Sequence, residues 1–363
     1  MKTLNEATTK LVENISILAW IIDAEQNIIY MNTLMRDLFG PLSGQKASVI
    51  YGESSYEPVI SRAGRQDGIS EVVIADVHFR RISTTVDLGD EGTFILELFE
   101  DISEQRLAHI NMKNALAKIY AETKTAKNIQ DSILPIDDTY WETIAFSSLY
   151  KPADELGGDF YDVIKISDDE YLIYIADVMG HGIQTALITV FMRERVRANS
   201  DAALQGTDKL LKCLVHDFNS IDIEGMMYVT MALCKYSKTK RELSISNAGH
   251  GCSPLIIRDN GRSEIIPIRG MPICTLASDI DYEEEVVRIN PGDRLILYTD
   301  GIIEERDSVT GHALGADGVR KLAEEHHAYS GSHLAKVIMN KSAGYAMINA
   351  KDDRSIIVAD ILS

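Results

Sequence analysis

Four acidic sites in this chain border short apolar runs. Asp159 follows Gly157-Gly158; Asp177 ends the run Tyr171–Ala176 and precedes Gly180-His181-Gly182; Asp300 comes after Leu295–Tyr298 and before Gly301; the pair Asp352-Asp353 precedes Ser355–Val358. Carboxylates at rigid strand ends are the ligands that hard divalent cations such as Mg²⁺ and Mn²⁺ prefer. Grouped together they repel one another unless cations join them. Two such cations, about 4 Å apart, activate a water and clamp a phosphoryl oxygen. Any one Asp beside Gly reads as a turn residue; the set of four points to a dinuclear centre.

The elements that must position these residues can be read around them. Tyr171–Ala176 has the composition of a strand. Met226–Tyr236 and Glu242–Ser246, joined by Ser237-Lys238-Thr239-Lys240, read as a hairpin. Pro254–Arg258, Glu264–Pro267, Glu283–Arg288, Arg294–Tyr298 and Ser355–Asp360 read as further strands, and Gly182–Asn199 and Asp208–Asn219 as helices. Hairpin spacing with few helices predicts stacked antiparallel sheets with helices outside.

Upstream, two further parts are expected. Residues 1–104 carry strands near 17–22, 28–31, 71–74, 77–86 and 93–99, and a short helix from Thr33 to Phe39 capped by Asn32 and closed by Gly40. Residues 105–135 form a helical linker, unbroken from about Ser103 to Ser132, before a third part over 136–363. Met112, Leu116, Ile119, Ala126 and Ile133 fall on an alternating 4,3 seam interrupted by Thr123 and Gln130, which suggests a weak coiled coil in a homodimer.

Composition excludes several classes. A net charge of −19 argues against nucleic-acid binding through phosphate neutralisation and against anionic membranes. Cys213, Cys234, Cys252 and Cys274 form no C-x-x-C pair, and their scatter fits reduced thiols. No run reaches the roughly 20 apolar residues of a membrane span, and the first residues lack a signal-peptide core, so a cytoplasmic protein is expected. The first part contains no cysteine, which excludes flavin–cysteinyl photochemistry, and His78 is its one histidine.

Two resemblances sharpen these expectations. Trp20-Ile21-Ile22-Asp23, Asn27-Ile28-Ile29-Tyr30-Met31-Asn32 and the closing Phe99-Glu100-Asp101-Ile102-Ser103 resemble PAS sensor domains, whose ligand here is left open. Ala153–Asp162, Asp177–Gly182, Asn247-Ala248-Gly249-His250, Tyr298–Glu304 and Asp352-Asp353, introduced by Asn128–Pro135, resemble the SpoIIE/RsbU branch of the PPM metal-dependent phosphatases. That resemblance implies an α+β chain: a PAS-like sensor, a helical linker and an α-β-β-α sandwich of antiparallel sheets.

The same resemblance implies roles. Asp159, Asp177, Asp300 and Asp352 would form the catalytic set holding two Mn²⁺ or Mg²⁺ ions, with the backbone carbonyl of Val178 on one ion and Asp353 competing with Asp352 for the last place. His181 would orient phosphate or donate a proton. Asp162 would be supporting, and His250 near the site without being a ligand. The implied substrate is a phosphoserine or phosphothreonine on a small STAS-type anti-anti-sigma protein, whose dephosphorylated form captures an anti-sigma kinase. The alternative is a degenerate phosphatase fold acting as a docking module; the intact acidic set speaks against it.

Overall fold

Asn5 and Asn32 open the first two helices in the same way. Each side chain accepts a hydrogen bond from the backbone N–H three residues on, at 2.8 and 3.0 Å, while the cap residue itself stays extended. The computed structural model describes residues 4–51, 68–89, 92–221, 226–275, 280–304, 313–343 and 352–363. The chain divides into two compact units, Met1–Lys118 and Ile119–Ser363.

The first unit holds α1 (Glu6–Glu13), β1 (Leu18–Ile22), β2 (Ile28–Met31), α2 (Thr33–Phe39), β3 (Gly68–Ile74), β4 (Val77–Asp87) and β5 (Thr93–Asp101). The strands pair antiparallel in the order β2-β1-β5-β4-β3. Successive strand residues face opposite sides. Trp20 and Ile22 therefore join Phe79, Phe99 and Met35 of α2 in one core, while Ala19 and Ile21 join Phe94 and Val12 of α1 in another. The buried Glu97 carboxylate accepts from Trp20 Nε1 at 2.9 Å and from Ser83 Oγ at 2.7 Å, and Arg81 lies 3.9 Å away, so its charge is compensated.

Helix α3 (Ser103–Ile133) starts where Asp101 Oδ1 accepts the Ser103 N–H at 2.9 Å, and the boundary between the units falls within it. Then come β6 (Asp138–Tyr140), β7 (Ile144–Lys151), β8 (Asp159–Lys165), β9 (Glu170–Val178), α4 (Ile183–Ala198), α5 (Thr207–Asn219), β10 (Tyr228–Ser237), β11 (Glu242–Ala248), β12 (Leu255–Ile257) and β13 (Ser263–Ile265). The rest are β14 (Ile273–Cys274), β15 (Glu285–Arg288), β16 (Arg294–Tyr298), α6 (Gly315–Glu325), α7 (Gly331–Ala343) and β17 (Arg354–Ile361).

Among the described residues the second unit forms two antiparallel sheets, β15-β11-β10-β9-β8 with β14 on β10, and β13-β12-β16-β17-β7-β6. Their inner faces meet: Tyr161, Ile173, Ile175 and Cys234 pack on Phe146, Leu295, Leu297 and Ile357. The outer face of the first sheet (Tyr174, Ala176, Met231) is covered by Met192 and Val196 of α4 and Leu211 and Leu214 of α5. That of the second (Ile296, Tyr298, Val358) is covered by Val319 of α6 and Leu334 and Ile338 of α7. The result is a helix–sheet–sheet–helix sandwich. All four cysteines are free, Cys234 and Cys252 buried and the other two half-buried. No helix among the described residues is long and apolar enough to cross a membrane.

Candidate metal centre

Sheet register brings the acidic residues together. In β8 and β9, Asp159 lies directly opposite Asp177, and Asp177 lies opposite Thr230 of β10. In the other sheet, Thr299 N–H donates to the Ser355 carbonyl at 3.0 Å, which sets Asp300, just past β16, beside Asp352-Asp353, just ahead of β17. The two sheets are stitched at this point. Thr299 Oγ1 and Ser355 Oγ donate to Asp159 Oδ2 across the sandwich at 2.8 and 2.6 Å.

The electrostatics are those of crowded like charges. Burial first, then Asp177 and Asp353, hold the Asp159 carboxyl well above the usual carboxylate range, partly offset by the two hydroxyl donors. Burial, then Asp300, Asp352 and Asp353, push Asp177 to about 7. Burial, then Asp300, push Asp352 to about 6. Among the described residues no lysine, arginine or histidine forms an ion pair with any of these carboxylates. No three acidic, histidine or cysteine side chains among the described residues close into a tight cage. The donor set is oxygen only and carries a large uncompensated negative charge, which fits Mg²⁺ or Mn²⁺ and not a soft metal.

Gly158 is required by close approach. A Cβ there would collide with the Val178 carbonyl oxygen and reach Asp177 Oδ1 at 3.0 Å. At Gly157 it would strike Tyr150 Oη and Asp353. The Val178 N–H donates to the Gly158 carbonyl at 3.1 Å, which ties this turn to the end of β9.

The expected residues fall as follows. Asp159 opens a strand rather than sitting in the turn. Asp177 is half-buried and, with Asp300, lines a cleft of about 240 Å³ together with Tyr228, Thr230, Gly249 and His250. Asp352 is exposed at the cluster, with Oδ1 accepting the Asp353 N–H at 2.9 Å. Asp353 is buried and committed to backbone: Oδ1 accepts from Ala153 N–H at 2.7 Å, and Oδ2 from the N–H of Gly158 and, at 3.4 Å, of Asp159. His181 is exposed ahead of α4 and is not among the residues lining that cleft.

Asp162 is buried under Arg197, at 2.7 and 3.0 Å, and Arg193, at 3.2 Å, and clamps α4 to β8. His250 is the histidine that faces the cleft. Its Nε2 lies 2.9 Å from the Tyr298 carbonyl and must donate there; Nδ1 then accepts from Thr230 Oγ1 at 3.3 Å. Burial lowers its pKa, consistent with a neutral ring. Asn247 holds it in place, accepting the His250 N–H at 2.7 Å.

The SpoIIE family (Stage II sporulation protein E) matches residues 167–362, more than half of the chain. The chain belongs to the SpoIIE family of PPM-type serine/threonine phosphatases. The SpoIIE match takes in Asp177, Asp300 and Asp352; Asp159 lies just ahead of it. Phosphoserine phosphatase RsbU of Bacillus subtilis is 24% identical over 266 residues, 73% of this chain and 77% of RsbU. Phosphoserine phosphatase RsbP of the same organism is 28% identical over 188 residues, 50% of this chain and 45% of RsbP. The SiaA-PP2C domain of Pseudomonas aeruginosa superposes with a TM-score of 0.60 at 24% identity, covering 68% of this chain and 98% of that domain. That likeness establishes a PP2C-like fold for this SpoIIE member.

Proposed function

We propose that this chain is a sensor-regulated, two-metal protein serine/threonine phosphatase acting on a phosphorylated STAS-type anti-anti-sigma protein. One observation carries the reading: carboxylates from both sheets converge at one edge of the sandwich, raise one another's pKa and have no cationic side chain to pair with among the described residues. Asp159, Asp177, Asp300 and Asp352, with the Val178 carbonyl, would hold Mn²⁺ or Mg²⁺. Bound there, the cations supply the positive charge that acidifies a water and offsets the phosphoryl oxygens.

The chain's own groups do the positioning. Thr299 and Ser355 fix the rotamer of Asp159. Neutral His250 ties the end of β16, and with it Asp300, to β10. His181, beside the uncapped N-terminus of α4, would orient the phosphate or deliver a proton to the leaving seryl oxygen. Asp353 shapes the turn and binds no ion.

The strand order β2-β1-β5-β4-β3 supports reading the first unit as PAS-like. Along α3, the seam residues Met112, Leu116 and Ile119 are more than half exposed, which supports a homodimer through this helix, although Leu107 and Ile110 lie off the seam. A change in helix packing would then shift an inactive–active equilibrium. The relatives named as phosphoserine phosphatases support the substrate class.

The test is release of phosphate from a serine-phosphorylated STAS protein by the full chain with Mn²⁺. Turnover that stops with chelator is expected. Release of phosphate unaffected by chelator overturns the metal reading. Failure on the phosphoprotein with turnover on a small phosphate ester overturns only the substrate.

A further inference from the structure

Of the 31 residues of α3, one is buried, and it is a glutamine. Gln130 is 3% exposed. Burying a glutamine forfeits rotamer freedom and desolvates an amide, so its hydrogen bonds must account for its place. Its Nε2 donates to the Gly157 carbonyl at 2.7 Å and to Thr189 Oγ1 at 3.1 Å. Thr189 Oγ1 spends its own proton on the Ala186 carbonyl at 2.7 Å and so accepts from Gln130.

The Gly157 carbonyl and the Gly158 N–H belong to a single planar peptide unit and point in opposite directions. Gln130 holds the first and Asp353 Oδ2 the second. With glycine on both sides, this peptide would otherwise rotate at little cost. Its orientation matters because Gly158 backs directly onto the Val178 carbonyl and Asp177, and the next residue is Asp159.

Resting on the metal-dependent reading above, we propose that Gln130 is a positioning residue for the metal centre: with Asp353 it grips the Gly157–Gly158 peptide from both ends and so sets how tightly the carboxylate cluster binds divalent cations.

The experiment is calorimetric titration of Mn²⁺ into chelator-stripped full-length protein, wild type against Gln130→Leu and Thr189→Val. Supporting groups of this kind are typically worth about 10- to 100-fold in metal affinity. Gln130→Leu is expected to weaken Mn²⁺ binding by about tenfold. It should also raise the Mn²⁺ needed for half-maximal hydrolysis of p-nitrophenyl phosphate in the same ratio, with a much smaller change in rate at saturating Mn²⁺. Thr189→Val, which keeps the bond to Gly157, should bind Mn²⁺ like wild type.

A cooperatively melting Gln130→Leu with wild-type Mn²⁺ affinity overturns the proposal. Equal loss in both variants overturns it too, since that marks general packing between α3 and α4. If Gln130→Leu does not fold, Gln130→Glu takes its place; it keeps the length but sets an acceptor against the carbonyl, and the same loss is expected. Failure of both to fold leaves Gln130 structural and ends the proposal. A wild type that takes up no Mn²⁺ overturns the metal reading, and the proposal with it.

Discussion

Asp352 and Asp353 are neighbours with opposite employment. Asp353 satisfies backbone N–H groups about 200 residues upstream, while Asp352 stands exposed beside Asp300. Asp353→Ala leaves those donors unpaired and is expected to cost about 3 kcal/mol in urea unfolding with chelator present. Asp352→Ala removes a carboxylate that Asp300 repels, so it should leave metal-free stability at neutral pH unchanged or higher, and yet weaken Mn²⁺ binding. Reversed results would exchange the two assignments.

The raised carboxyls also set a pH dependence. In the folded, metal-free protein Asp177 and Asp352 titrate near 7 and 6, against an ordinary value of 3.8. The folded state keeps protons that the unfolded chain has released, so their contribution is fully present below about 4 and is lost as pH rises through about 7. Melting temperature in chelator should fall over that window, and Mn²⁺ should restore it most strongly at the alkaline end. A flat profile would contradict the clustering. The sequence showed the acidic sites because glycines and apolar runs flank them. It placed His250 near the site through the family resemblance, but it could not separate Asp352 from Asp353, give His250 its hydrogen bonds or single out Gln130, because their partners are set by tertiary contacts with Ala153, Tyr298 and Gly157.

At the scale of elements, strands with one clear run and helices with a cap were readable. Thr33–Phe39 with its Asn32 cap and Gly40 stop is reproduced in α2, and Ser103–Ser132 in α3 to within one residue. Strand β8 was not read. It is covered on both faces, so Phe160 to Val163 are all buried and show no alternation, and the two preceding glycines look like a turn. Helix α7 was missed although Leu334, Ala335, Ile338 and Met339 repeat at helical spacing and Ser330 stands as its cap, with Oγ accepting the His333 N–H at 3.3 Å.

The clamp between α4 and β8 gives a third prediction. Replacing Arg193 and Arg197 together by Leu strands the buried Asp162 charge and should cost about 3–5 kcal/mol in denaturant unfolding; a change near zero would mean that the clamp is not holding α4. For α3, Met112→Glu with Leu116→Glu should shift sedimentation from dimer to monomer, and an unchanged sedimentation coefficient would remove this helix from any dimer interface.

For the whole molecule, the helix that begins at Ser103 carries near its end Gln130, which holds the Gly157–Gly158 turn. Inserting one or two residues near Ala121 should alter regulation of the full chain while leaving saturating Mn²⁺ binding intact; unaltered regulation would rule out transmission by a rigid helix. The family, the helix–sheet–sheet–helix sandwich and the oxygen-only carboxylate cluster all lead to one chemistry, metal-dependent hydrolysis of a phosphate ester. Hydrolysis of p-nitrophenyl phosphate by the full chain, with Mn²⁺ and with chelator, for wild type and Asp300→Asn, tests it most directly. Turnover that needs Mn²⁺ and disappears in Asp300→Asn is the expected result; turnover that survives chelator, or that Asp300→Asn retains in full, contradicts the account.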